Sequence, residues 1–168
     1  DSVLTGEVEA ATDSWSGLDH LEGQNVSVVA DGIALDNSVT VASGEIMLSE
    51  PAYNIEVGLP YTHIVEPLPP AMNDASAGRK MRLIEAIFRL QQTQALRLDI
   101  GQGLKDIPLK QFGEDIILDV PPPIIDGDIR IHSLGWQKSG TTPFWRIEQS
   151  VPYPFRLLAV ATEIKVND

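Results

Sequence analysis

The chain of 168 residues contains no cysteine, which excludes disulfides and any chemistry that depends on a thiolate. It also has no apolar run near the roughly 20 residues that a membrane-spanning helix needs. Its first residues, Asp-Ser-Val-Leu-Thr-Gly, lack the basic and apolar regions of a signal peptide. Because it starts without methionine, we expect a fragment or a processed product. The hydrophobic content of 43% is typical of a globular protein with one good core or two small ones.

Lysine and arginine are scarce, and the formal net charge is −12. Tight wrapping of nucleic acid needs many cations to replace the counterions of the phosphates, so this class of function is disfavoured. Simple solubility is the commoner explanation of such a charge, although the charge also suits a surface that DNA passes without sticking.

Motifs that carry catalysis or bind cofactors are missing. There is no glycine-rich phosphate loop, no G-x-S-x-G elbow and no H-E-x-x-H helix. The histidines, His20, His63 and His132, lie far apart, which argues against a histidine metal site. Asp126 and Asp128 offer two calcium ligands, but the other ligands of a calcium loop are missing and D-G-D is also a common turn. We therefore predict no enzyme activity, no cofactor and no metal.

The clearest structural signal is the stretch from Gly17 to Gly32. Val26, Val28 and Ala30 are apolar at every second position, which is typical of a strand with one buried face. Asp31-Gly32 follows, and this pair favours a type I′ turn because both of its residues tolerate positive φ. The stretch therefore predicts a β-hairpin that further strands must cover, since a lone hairpin is marginal in water.

Similar alternation recurs to Tyr61, with turn residues about every 8 to 12 positions. This rhythm predicts a small antiparallel barrel or sandwich over residues 17–62, after an extended lead-in over 1–16. Prolines 60, 67, 69 and 70 then predict a stiff connection, the linker 63–78.

Residues 79–168 are predicted to form a second β unit. Within it, 79–100 is ambiguous: its composition favours a helix, whereas its alternation favours a hairpin with a turn at Gln92-Thr93-Gln94. Asp126-Gly127-Asp128 is predicted to be a turn. Residues 157–166 are predicted to be a final strand buried within a sheet. The fold class is therefore mainly β, with small antiparallel barrel or sandwich units and a proline-rich connection.

Several motifs occur in an order that resembles a known family. They are GLDHLEGQNVSVVADG, SGEIML, VGLPY, GRKMRL, FRLQQT, VPPPIIDGD, GW and VPYPFRLLAVATEIKV. The chain is similar to the C-terminal region of tail tubular, nozzle or DNA-stabilisation structural proteins of tailed bacteriophages. LDHLEGQNVSVVADG and VGLPY are the most specific pieces. The resemblance favours the hairpin over the helix for residues 79–100, although Ala86, Gln92 and Gln94 depart from the family's β-branched pattern.

The resemblance implies a structural protein of the virion, located in the phage tail, rather than a catalyst. The expected partners are further copies of the chain in a ring around the DNA exit channel, other tail proteins, and DNA in transit. Exposed apolar residues near the proline-rich segments are the candidate ring interface, namely Tyr61, Ile64 and Ile124.

Two other functions remain open. Trp136, Trp145 and Tyr153 could form an aromatic platform in a carbohydrate- or receptor-binding module, although core packing is the commoner role of such rings. An acidic hydrolase domain would need two carboxylates facing each other across a cleft, which a sequence with 24 acidic residues neither shows nor excludes.

Overall fold

A computed structural model of the chain describes residues 3–35, 38–69, 81–109, 120–132 and 143–166. These residues form strands in antiparallel sheets and one 3-10 turn at Asp19–Leu21, so the predicted mainly β fold is confirmed. The strands are β1 (Val3–Ser16), β2 (Asn25–Ala30), β3 (Ile33–Ala34), β4 (Val39–Thr40), β5 (Glu45–Gly58), β6 (His63–Val65), β7 (Met81–Thr93), β8 (Arg97–Asp99), β9 (Lys105–Asp106), β10 (Ile125–His132), β11 (Arg146–Gln149) and β12 (Leu157–Val166). Within these ranges, no helix has the length and apolar character that crossing a membrane requires.

The chain divides into two units. The first contains the residues up to Thr62 together with 120–122 and 150–153, and the second contains the remainder of the described residues. The predicted lead-in and linker are both partly strand, because residues 3–16 form β1 and residues 63–65 form β6. Each of these strands pairs within a sheet, so neither is a simple connection.

The first unit is a sheet in the order β1-β5-β2-β3, with β4 also paired to β2. The hairpin predicted at Asp31-Gly32 is present: these residues have φ of 49° and 82°, and Ala30 pairs with Ile33 across the two-residue loop. Val26 and Val28 are fully buried, as their alternation predicted. The core of this unit consists of Trp15, Leu18, Leu21, Val26, Val28, Val41, Ile46, Leu48, Ala52, Ile55 and Val57.

The long strands β1 and β5 are paired along most of their length, with one irregular stretch. The pairs Glu7↔Asn54 and Ser14↔Met47 share one register, because the same number of residues separates them on both strands. Between them Thr12 lies opposite Ala52, out of that register. The correct register beyond this stretch places Trp15 in the core, where its ring covers Gly6; a Cβ on Gly6 would lie 2.7 Å from Trp15 Cζ3.

In the second unit, β7 is the central strand of a sheet in the order β10-β7-β12. Leu83, Ala86, Phe88 and Leu90 of β7 are all buried, whereas β12 has no buried residue. The prediction that 157–166 lies buried within a sheet is therefore wrong, since β12 is at the edge of this sheet as far as the described residues show. A run of apolar residues predicted the strand correctly but not its position among its neighbours.

The remaining strands form a second sheet, in the order β6-β11-β8-β9. Residues 81–100 are strand rather than helix, but β7 and β8 belong to different sheets, so the predicted hairpin is wrong. The chain leaves β7 near Gln92, whose φ is 46°. Both sheets contribute to one core, as in a sandwich. Phe88 of β7 contacts Trp145 edge to face, with ring centroids 5.4 Å apart.

Candidate interaction surface

Glu22, in the stretch from Gly17 to Gly32, binds the loop that contains Ser43 and Gly44. Its carboxylate accepts hydrogen bonds from the backbone N–H groups of Gly44, at 2.7 Å, and Ser43, at 3.0 Å. Gly44 and then Ser43 hold the pKa of Glu22 below its ordinary value, because both bonds favour the ionised form. Ser43 and Gly44 have positive φ, so the carboxylate binds a loop whose backbone donors point to one side.

Asp31 has a comparable role at the other turn. Its carboxylate accepts hydrogen bonds from the N–H groups of Tyr53 and Asn54, the latter at 2.8 Å. Its own N–H donates to the carbonyl of Asn54, also at 2.8 Å. The hairpin turn is therefore fixed to the middle of β5, and this acidic residue serves the fold.

The acidic side chains on β1 and β5 do not bind a turn in the way that Glu22 and Asp31 do. They are exposed, and none forms an ion pair with a described residue: Glu7, Glu9, Asp13, Glu45, Glu50 and Glu56. Their carboxylates face solvent on the two longest strands of the first unit. They form what we call the acidic strand pair.

Charge is distributed unevenly along the chain, and the acidic strand pair lies in the part that has no lysine or arginine. All 12 lysine and arginine residues follow position 78, whereas 13 of the 24 acidic residues precede it and 11 follow it. The first 78 residues therefore have a formal charge of −13, and the remaining residues have a formal charge of +1. The total charge alone hides this division, whereas a count of charges for each predicted unit shows it.

The predicted interface residues are all exposed. Tyr61, in the first unit, is 74% exposed, and Ile64 and Ile124, in the second, are 51% and 60% exposed. Ile64 is the middle residue of β6 and lies opposite Glu148 of β11. Ile124 directly precedes β10. An interface role requires this exposure but is not tested by it.

Two of the three aromatic residues considered for a ligand platform lie within the described residues. Trp145 is only 8% exposed and packs against Phe88, so it has the core role that was weighed against ligand binding. The hydroxyl of Tyr153 accepts a hydrogen bond from the N–H of Ala34 at 2.9 Å. Trp136 lies outside the described residues.

Asp126-Gly127-Asp128 is not a turn but part of β10, with a register shift between Ile125 and Gly127. Asp128 forms an ion pair with Arg89 at 2.7 Å, which lowers the pKa of its carboxyl. Asp126 accepts a hydrogen bond from the N–H of Gln92 at 3.0 Å. Both carboxylates bind protein groups, and calcium coordination has no support in this geometry.

Other titratable groups also have structural contacts. His63 stacks on Phe155 with ring centroids 5.1 Å apart, and His132 lies opposite Glu85 in the β7–β10 pair. Across the described residues, no three histidine, aspartate or glutamate side chains are grouped so that they could hold a metal.

Arg146 forms ion pairs with two carboxylates, those of Glu148 and Glu66. It lies 2.8 Å from Glu148 and 3.1 Å from Glu66, and these contacts, Glu148 first, raise its pKa. Two carboxylates that share one guanidinium are not a general acid and base facing a substrate.

Comparison with known proteins adds no assignment: no family model and no curated protein matches the chain.

Proposed function

We propose that this protein is a structural component of a phage virion, a subunit of the tail tube or nozzle ring around the channel through which DNA leaves. The motif order from GLDHLEGQNVSVVADG to VPYPFRLLAVATEIKV supports the proposal by its resemblance to such proteins. Antiparallel sheets also suit the role, because extensive strand pairing makes stiff units.

The observation that carries the proposal is the division of charge. The first 78 residues have 13 acidic residues and neither lysine nor arginine, and the acidic strand pair presents six exposed carboxylates. Such a surface repels phosphate and releases no counterions from DNA. In a channel wall it would let a duplex pass without being held.

A ring also needs a contact between different surfaces of neighbouring copies, since head-to-tail contacts close into rings. The exposed apolar residues Tyr61, Ile64 and Ile124 are the proposed contact. Each of them exposes apolar area, and burial of such area at an interface provides stabilisation.

Native mass spectrometry of the purified protein tests the ring. We expect one discrete oligomer that dissociates on Ile64→Asp, because a buried unpaired carboxylate would oppose assembly. Met47→Asp is the matched control: Met47 is 70% exposed and outside the proposed contact, so the oligomer should persist.

A monomer at all concentrations, or equal loss of the oligomer in both variants, would contradict the ring proposal. An electron cryomicroscopy map of the ring tests the charge argument separately. Carboxylates of the acidic strand pair should face the channel, and a lumen lined with lysine and arginine would refute that argument.

The two alternatives receive no support from the described residues. Trp145 is buried in the core and is therefore not available to a glycan platform. Glu66 and Glu148 both form ion pairs with Arg146, so they do not support the hydrolase alternative.

A further inference from the structure

The outer edge of β1 is open along the described residues. β1 pairs with β5 on one side, and among the parts of the chain that the structure describes no strand pairs with its other side. At 14 residues it is as long as β5. Sheet edges of this length present unpaired N–H and C=O groups that can pair with another chain.

The hydrogen bonds of β5 show which backbone groups of β1 are open. Asn54 directs both its N–H and its C=O toward Asp31, on the side of β2. Successive residues of a strand alternate, so Ile55 directs its backbone groups toward β1. Gly6 of β1 lies opposite Ile55 and directs its own backbone groups toward it.

The same alternation applies along β1. Leu4 and Gly6 direct their backbone groups to β5, and therefore Val3, Thr5 and Glu7 direct theirs outward. Pairing with β5 is regular over Val3–Glu7, before the irregular stretch, so this segment is a straight template for another strand.

Natural edges are commonly blocked by lysine, proline or short length, and β1 has no lysine, no proline and a long span. Its exposed charged side chains are instead all carboxylates, those of Glu7, Glu9 and Asp13. A second copy pairing through the same edge would bring like charges together, which is destabilising in a cross-strand pair.

We propose that the outer edge of β1, over Val3–Glu7, is a docking site for an extended, lysine-bearing segment of a different protein. The segment adds a strand to the sheet through the backbone of Val3, Thr5 and Glu7, and its cations lie beside the carboxylates of Glu7 and Glu9. This inference goes beyond the ring proposal and does not depend on it.

A backbone NMR titration tests the site on the intact chain. The probe is a synthetic peptide of about eight residues in which lysine and valine alternate, as strand addition requires. We expect the amide signals of Val3, Thr5 and Glu7 to shift and the exchange of their protons with solvent to slow. An alternating glutamate–valine peptide should not bind. A lysine peptide interrupted by proline has the same charge but cannot pair, and it should not protect these amides.

Variants separate backbone pairing from charge. Thr5→Pro removes an outward donor and should weaken binding roughly twofold to tenfold, the range that the loss of one hydrogen bond gives. Glu7→Gln should weaken it roughly twofold to fivefold, the range of a cross-strand charge pair. Glu163→Gln, at an exposed carboxylate on β12, is the matched control and should leave binding unchanged.

Three results would overturn the proposal. The lysine–valine peptide fails to protect Val3, Thr5 and Glu7, the proline-interrupted peptide binds equally well, or the chain alone dimerises with these amides protected. The first result does not require Thr5→Pro to fold, so a misfolded variant does not weaken the test. The titration follows the amides of single residues, whereas native mass spectrometry follows the mass of the ring. Either experiment can therefore contradict its own proposal while the other proposal is supported.

Discussion

Truncation of Phe88 is the most direct test of the sandwich in the second unit. Phe88 is completely buried at the centre of β7, between Ile129 of β10 and Val160 of β12. Its ring also meets Trp145 at an interplanar angle of 85°. Replacing a buried phenylalanine with alanine costs about 3–5 kcal/mol. Of this, about 0.5–1.5 kcal/mol belongs to the edge-to-face ring pair.

Urea unfolding followed by circular dichroism measures the change in free energy. Phe88→Ala should lower the unfolding free energy by about 3–5 kcal/mol. Amide hydrogen exchange should show the earliest loss of protection in β7, β10 and β12. Leu158→Ala is the control in the same sheet: Leu158 is 54% exposed, and its truncation should cost less than about 0.5 kcal/mol.

A double-mutant cycle tests whether the two sheets share one core. Phe88→Leu and Trp145→Leu should show a coupling of about 0.5–1.5 kcal/mol, because each removes the same ring contact. If Phe88→Ala costs less than about 1 kcal/mol, or if the coupling is zero, the packing described between β7 and Trp145 is refuted.

Two further predictions concern the loop of the first unit that Glu22 binds. Gly44→Ala should destabilise the unit, because Gly44 has φ of +69° and a Cβ there would lie 2.5 Å from Asp19 Oδ1. Gly103→Ala, measured by the same urea unfolding, should cost only the roughly 1–2 kcal/mol of a left-handed backbone, since nothing lies within 4 Å of its Cβ position. The second prediction is acid sensitivity: because folding lowers the pKa of Glu22, its carboxylate stabilises the fold above the ordinary value of 4.5, and this contribution is lost as pH falls through the folded-state pKa. Glu22→Gln should therefore flatten the dependence of unfolding free energy on pH in the acid range.

Equal costs for Gly44→Ala and Gly103→Ala would contradict the predicted clash at Gly44. An unchanged acid profile in Glu22→Gln would show that its bonds to Ser43 and Gly44 do not contribute to stability.

Local features of the fold were predictable because they follow from local chemistry. Asp31-Gly32 needs two positive φ values, and alternation at Val26 and Val28 needs one buried face, so both could be inferred from adjacent residues. The partners of the strands were not predictable in this way. β7 and β8 both show the alternation of strands, but no residue in 81–100 encodes that each pairs in a different sheet.

The candidate surface was predictable only in part. The exposure of Tyr61, Ile64 and Ile124 is compatible with the sequence argument, whereas the burial of Trp145 depends on Phe88, which is distant in the chain. The pairing of β1 with β5 could not be predicted, because the lead-in gave no sign of its partner strand. The charge division was present in the sequence and needed only a count for each unit.

The matched register on the two sides of the irregular stretch in β1 and β5 limits how the protein can vary. Removing one residue from β1 between Glu7 and Thr12 would rotate every later side chain of that strand to the opposite face. Trp15 would then point to water, and Ser16 would take its place over Gly6. Insertions and deletions in the β1–β5 pair are therefore tolerated only as compensating pairs, one in each strand. In a library of single-residue deletions, variants in this stretch should be depleted even though nearly every deleted side chain is exposed.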